Sequence, residues 1–223
     1  MIDKIKHAII FGANGDLGSA FAKILIPNSH KVTLVARDIE KVNHIFLDDK
    51  KTEFLQYSFP EDTSKLSDYI NSLTQPIDFC VNAIGSYSKT EDILNKKHFE
   101  QVIDSNFSVL QNILKEISPQ ICSRGKFINI SSIASHSGSS DENAYASSKI
   151  LVDKLMSSLR FTDTFSKVKT LNVRPGAIKS KMTLGRANSE FFIDPDELAE
   201  LCINTICHGS SLTVPTIDVF RSN

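Results

Sequence analysis

The chain of 223 residues has almost no net charge: 25 Lys and Arg against 26 Asp and Glu leave −1. A nucleic-acid backbone or an anionic membrane needs a basic field to hold it, and none exists here. The expected partners are small molecules and further copies of the chain, as a homodimer or homotetramer. Cysteine patterning is absent as well. Cys80, Cys122, Cys202 and Cys207 form no Cys-x-x-Cys pair, and no Cys/His group has zinc-finger spacing, so no metal is expected. Cys80 lies in an apolar strand-like run and Cys202 on an apolar helix face, which reads as buried free thiols in a reducing compartment. Long hydrophobic runs are missing too. Ala8 to Phe11 is too short for a signal-peptide core or a membrane span, and nothing later approaches membrane length. The expectation is a cytoplasmic protein. No repeat, low-complexity tract or linker divides it.

What is present is alternation. Ile5 to Phe11 reads as a buried strand stopping at Gly12. Leu17, Phe21, Ile24 and Leu25 recur at helical spacing up to Pro27, which should end that helix. Lys31 to Ala36 is strand-like, and Asp38 reads as the N-cap of a helix over Ile39 to Phe46. A strand over Thr52 to Tyr57, a helix over Asp62 to Leu73 and a strand over Ile77 to Ala83 follow. One long helix is predicted from Lys96 to Ile117, then a strand over Lys126 to Ile130 and a helix from Asn143 to about Phe165. Val168 to Val173, Pro195 to Ile206 and Thr213 to Val219 complete the series as strand, helix and strand. Strands that are apolar throughout and separated by helices imply a parallel sheet covered on both faces. The prediction is an α/β fold, one doubly wound Rossmann domain over residues 1–223. Ligands of such sheets bind beyond the carboxyl ends of the strands.

At the first of those ends stands Gly12-Ala13-Asn14-Gly15-Asp16-Leu17-Gly18, opening the first helix. Glycines let backbone approach a pyrophosphate, and the helix N-terminus offers it unpaired N–H groups. Asp16 is awkward beside phosphate, so its side chain should turn away and cap the helix start. Arg37 directly follows the second strand, where an Arg pairs with the 2′-phosphate of NADP and an acidic residue would hold the NAD ribose. Arg37 points to NADP, with NAD as the alternative.

Tyr145 and Lys149 lie four apart, on one face of a helix. A phenol ordinarily titrates near pH 10 and needs a nearby ammonium to lower it toward neutral working range. Ser132 comes thirteen residues before Tyr145, at the end of a strand, where a hydroxyl can steady a substrate oxygen gaining charge. Asn106 stands mid-helix, where Asn has no local advantage, and could anchor a water leading protons to Lys149. In the polar loop from Ile133 to Asn143, His136 reads first as a solvated side chain. The loop from Lys181 to Ile193 is short for a lid, which suggests an open site or a compact substrate.

Taken together, these features resemble the short-chain dehydrogenase/reductase family over nearly the whole chain. The family's Asn-Ser-Tyr-Lys tetrad falls on Asn106, Ser132, Tyr145 and Lys149. Its Asn-Asn-Ala-Gly turn is partly matched by Asn82-Ala83-Ile84-Gly85, which by resemblance supports the sheet beside the adenosine ribose. Pro175-Gly176 matches its Pro-Gly turn, placing Ile178 against the nicotinamide and Ser180 at the carboxamide. Three departures stand out. Phe11 replaces the usual Thr, the glycine spacing is closer to the extended branch, and Asp16 replaces a glycine of the classical register. The C-terminal segment Val214 to Phe220 also lacks the usual glycines, which bears on tetramer packing.

The resemblance implies a carbonyl–alcohol oxidoreductase. Tyr145 would act as general acid/base, Lys149 would orient the ribose and tune Tyr145, and Asn106 would hold a relay water. Two other readings stand beside it: a dinucleotide-binding sensor without turnover, and a nucleotide-sugar epimerase or dehydratase. The latter ordinarily has a larger segment after the position of Pro175.

Overall fold

The computed structural model describes residues 5–46, 50–59, 63–90, 92–137, 140–209 and 211–222, with the side chains at 39, 43–45 and 141 outside that description. Seven parallel strands form one sheet: β1 (Ile5–Phe11), β2 (Ser29–Ala36), β3 (Thr52–Gln56), β4 (Ile77–Asn82), β5 (Ile121–Ile130), β6 (Lys169–Pro175) and β7 (Thr216–Val219). Their order is β3-β2-β1-β4-β5-β6-β7. The chain winds outward from β1 to β3, then returns to β4 on the other side of β1. The carboxyl ends of β1 and β4 therefore flank the crevice where the winding reverses.

Each central strand feeds two cores, because alternate side chains point to opposite faces and both faces are covered. Ala8 and Ile10 of β1 join one core with helices α1 (Asp16–Asn28) and α7 (Pro195–Cys207), through Phe21, Leu25, Leu198 and Cys202. Val42 of α2 (Ile39–Phe46) joins the same core. Ile9 and Phe11 face the other core, with Leu66 and Ile70 of α3 (Ser64–Asn71). Ile113 of α5 (Val109–Ile117) and Val152 of α6 (Asn143–Ser158) complete that side. Burying each such side chain contributes about 1.5–3 kcal/mol, which commits every β1 residue but Lys6 to the interior. The edge strands β3 and β7 are only partly covered and β5 exposes Ser123 and Arg124, so the burial predicted for all strands holds best for β1, β2, β4 and β6.

Several boundaries differ from the sequence expectation for identifiable reasons. Pro27 does not end α1. The helix runs one residue further, and Asn28 Nδ2 donates to the Ile24 carbonyl at 2.7 Å. Strand β5 begins at Ile121 rather than Lys126, since Ile121 pairs with Ile77 before the register shifts and polar Ser123 and Arg124 are left exposed. The long helix after position 96 is interrupted. It comprises α4 (Lys96–Ile103), a π-helical turn over Asp104–Ser108, and then α5. Helix α6 stops at Ser158, short of Phe165, and gives way to 3₁₀ turns. The predicted start of the third helix at Asp62 lies outside the described residues.

Candidate active site

Beyond the carboxyl ends of the strands lies a cleft of about 710 Å³. The loop after β1 forms its floor. Gly12 adopts φ +82°, in the left-handed region that favours glycine, and a Cβ there would stand 3.0 Å from the Ala83 carbonyl carbon. Gly12 N also donates to Val35 O at 2.9 Å, and Ala83 N to Phe11 O at 3.0 Å, binding the loop to both neighbouring strands. At Gly18, a Cβ would lie 2.2 Å from the Gly12 carbonyl oxygen, so only glycine lets α1 start this close to the loop. Asn14, Gly15, Leu17, Arg37, Ala83 and Gly85 line the same cleft, as do Pro175, Gly176, Ile178 and Ser180.

Asp16 behaves differently from its expected role. No side chain caps α1. Instead Asp16 Oδ2 accepts a hydrogen bond at 2.8 Å from the backbone N of Lys181. The carboxylate turns away from its own helix start and ties the glycine loop to the segment after β6. Asp38 does cap as predicted: Lys41 N donates to Oδ1 at 3.4 Å, and Lys41 Nζ pairs with Oδ2 at 2.6 Å. With Asp38 so engaged, Arg37 remains exposed at the end of β2 and forms no ion pair with the described residues.

Ser132 and Tyr145 meet in the cleft, from the end of β5 and the first turn of α6. Lys149, one turn further on, is buried to 4% exposure. Its Nζ lies 5.6 Å from the Tyr145 ring centroid and 3.5 Å from the Ile130 carbonyl oxygen. Burial lowers the Lys149 ammonium to about 8, against the opposing pull of the Asp153 carboxylate. The Tyr145 phenol runs contrary to expectation. Burial raises it above its ordinary value, with the neighbouring Ser132 hydroxyl and Arg186 holding it down in part, and Tyr87 and Glu142 pushing it up. Loss of hydration outweighs the Ser132 hydrogen bond and the Arg186 charge.

Asn106 and Asn82 stand behind the cleft rather than in it. The π turn swings Asn106 inward, where it is 3% exposed. Its Nδ2 donates to the carbonyls of Ser86 and Val102, both at 3.0 Å, and its Oδ1 accepts from Ser86 N at 3.2 Å. Both amide protons are thus used by the protein, and one Oδ1 lone pair remains. A Cβ on Gly85 would stand 3.2 Å from that Oδ1 and 3.3 Å from Lys149 Nζ. Asn82 Nδ2 donates to Asn129 Oδ1 at 2.8 Å, and Asn129 Nδ2 to Asn172 Oδ1 at 2.9 Å. Asn172 in turn donates to Asp153 Oδ1 at 2.7 Å, and Arg174 Nε pairs with Asp153 Oδ2 at 2.9 Å. This buried ladder crosses three strands and ends on the carboxylate that faces Lys149.

A family model described as short chain dehydrogenase matches residues 6–190. The chain belongs to the short-chain dehydrogenase/reductase family. Among relatives of this dehydrogenase/reductase, an uncharacterized oxidoreductase of Staphylococcus epidermidis is 24% identical over 223 residues, covering 97% of each chain. A probable NADP-dependent dehydrogenase of Haemophilus influenzae is 28% identical over 181 residues, 78% of this chain and 71% of the relative. Of solved structures, a glucose/ribitol-type short-chain dehydrogenase/reductase from Brucella melitensis superposes with a TM-score of 0.87 at 18% identity, covering 98% and 97% of the two chains. An alcohol dehydrogenase from Thermococcus sibiricus, complexed with 5-hydroxy-NADP, gives 0.83 at 19% identity, covering 97% and 96%. At those identities the structures attest the fold. The protein is accordingly an oxidoreductase with an NAD(P)-binding fold.

Sequence reading did not find Asp153, Tyr87 or Arg186. Asp153 had a local signal, four residues after Lys149 on the same helix. Tyr87 and Arg186 had none, because a segment distant in sequence brings each to Tyr145. Glu142 was visible only as one polar residue of a loop.

Proposed function

We propose that this dehydrogenase/reductase interconverts a small carbonyl compound and its alcohol using NADP, with Tyr145 as general acid/base. The observation that carries the reading is the convergence of Ser132, Tyr145 and Lys149 on the cleft whose floor is the glycine loop. The residues fit a dinucleotide. Gly12 and Gly18 leave the backbone bare where a pyrophosphate would approach, and Arg37 offers a 2′-phosphate a guanidinium that pairs with no described carboxylate. Ala83, Gly85, Gly176, Ile178 and Ser180 line the remaining length that the adenosine ribose and nicotinamide would occupy. When bound, the dinucleotide supplies or accepts the hydride.

The chain's own residues handle the oxygen and its proton. Ser132 donates to the substrate oxygen as negative charge grows there, and Tyr145 passes its phenolic proton to it in the reducing direction. Lys149 stabilises the resulting phenolate once a ligand excludes water from the cleft. Asn106 fixes the Ser86 backbone, next to the Gly85 that neighbours Lys149, and offers its remaining Oδ1 lone pair to a relay water. The enzyme acts in the cytoplasm as a homodimer or homotetramer.

The test is NADPH oxidation over a panel of ketones and aldehydes, with equilibrium titrations of NADPH and NADH. Tyr145→Phe is expected to lower kcat by about 10²–10⁴-fold while NADPH still binds. Full activity of that variant would overturn the assignment. Tighter binding of NADH than of NADPH would overturn the role of Arg37.

A further inference from the structure

The substrate side of the cleft carries a cation with no anionic partner among the described residues. Arg186 lies between β6 and α7 and lines the cleft. Its guanidinium carbon sits 5.1 Å from the Tyr87 ring centroid and 5.8 Å from that of Phe192. Tyr87 in turn packs edge-on against Tyr145, with centroids 5.0 Å apart and ring planes at 78°. One aromatic ring therefore links the guanidinium to the general acid.

The segment holding Arg186 is braced at its base. Ile178 and Ile193 form a parallel bridge, Lys179 N donates to Ile193 O at 2.9 Å, and Thr183 Oγ1 donates to Ile178 O at 2.6 Å. Arg186 N closes the turn on Thr183 O at 3.2 Å. At the near end of the segment, Asp16 holds Lys181 N.

The Glu142 carboxylate, which also stands beside Tyr87, has other partners. Glu142 accepts a hydrogen bond from the Tyr87 hydroxyl and pairs with Lys89 at 3.7 Å. Arg186 makes no ion pair with any described residue, and its neighbours are two aromatic faces. Rings hold a guanidinium by its flat side and leave its five N–H donors at the edge. Such a fork matches a carboxylate or phosphate in geometry and charge.

We propose that Arg186 binds an anionic group of the substrate, so that the compound turned over is an oxo acid, or a phosphorylated carbonyl compound, and its alcohol. The anion sits on Arg186 while the carbonyl reaches Ser132 and Tyr145 across the face of Tyr87, placing the two groups a few bonds apart. This rests on the carbonyl–alcohol reading above.

The test separates the two. Acetoacetate, levulinate and 5-oxohexanoate are each compared with their methyl esters, and dihydroxyacetone phosphate with dihydroxyacetone, in wild type, Arg186→Ala and Arg186→Lys. One readout is kcat/KM for NADPH oxidation. The other is calorimetric binding of the same compounds to protein loaded with NADP⁺, which needs no turnover. Wild type is expected to prefer at least one anion over its neutral partner, and Arg186→Ala to reduce that anion-to-neutral ratio by about tenfold or more. Arg186→Lys should recover part of it, because charge is retained and the planar fork is lost.

A series in which the acids outperform their esters identifies a carboxylate, whereas preference for the phosphorylated ketone alone identifies a phosphate. Arg186-dependent binding without reduction of any compound would sustain the anion site and sink the carbonyl–alcohol reading. Reduction of neutral compounds with a ratio untouched by Arg186→Ala would overturn the anion site alone. Failure of both readouts in wild type would overturn both.

Discussion

Lys149 and His7 are both basic groups whose charged form the fold disfavours, and each makes a pH dependence. Lys149 titrates near 8 because burial removes its hydration, and the Asp153 carboxylate keeps it from falling further. Replacing Asp153 with Asn removes that support. The alkaline limb of kcat/KM, which reports the free enzyme, should shift to lower pH in Asp153→Asn, while circular dichroism at pH 7 remains that of the wild type. An unmoved limb would show that Asp153 does not tune Lys149. His7 is 1% exposed, bonded through Nε2 to Thr33 Oγ1 at 2.8 Å, and lowered to about 4 by burial first and Lys31 second. Between pH 6.5 and 4 the unfolded chain binds a proton there that the folded chain does not, so stability falls as pH drops through that window. From pH 7 to pH 5 the loss attributable to His7 is on the order of 2 kcal/mol. Urea midpoints should show this in wild type and a flatter dependence in His7→Gln.

At the scale of elements, the junction between β1 and α1 is the least forgiving part of the site. A methyl on Gly18 collides with backbone, the Gly12 carbonyl oxygen at 2.2 Å and carbon at 2.8 Å, and no rotamer relieves that contact. Gly18→Ala should cost about 1–3 kcal/mol in urea denaturation and weaken NADPH binding at least about tenfold. Wild-type affinity in that variant would mean that the helix start is not where the pyrophosphate lies. The π turn between α4 and α5 is the other decisive element. A regular helix there would advance about 100° per residue without interruption. The wider turn instead aims Asn106 at the Ser86 backbone, and π turns inside helices frequently mark functional sites. Helical periodicity predicted the span from Lys96 to Ile117 correctly, and it carried no trace of the extra residue.

For the whole molecule, α6 presents an apolar outer surface. Ile150 is 52% exposed and Leu151 40%, on the same helix that carries Tyr145 and Lys149. A neighbouring copy covering this surface would also brace the helix that carries Tyr145 and Lys149. Light scattering should give a mass of two or four chains, and the double substitution Ile150→Glu, Leu151→Glu should lower it toward one. A wild-type protein that is monomeric at micromolar concentration would reject the homo-oligomer.

Local pattern was enough for the architecture and for half the site. Apolar strand runs and helical spacings repeat within a few residues, so the sheet, its helices and the placement of the glycine loop were legible from neighbours in sequence. Tyr145 and Lys149 share a helix face four residues apart, and Arg37 directly follows β2, so those candidates too could be named. Tertiary structure decided what no short window contains. Asp16 reaches the backbone of Lys181, Arg186 stands against the Tyr87 ring that packs on Tyr145, and Asn82, Asn129 and Asn172 come into register only when three strands pair. It also reversed the expected direction for the Tyr145 phenol, since the number of waters a group loses on burial is set by everything packed around it and not by the residue four positions away.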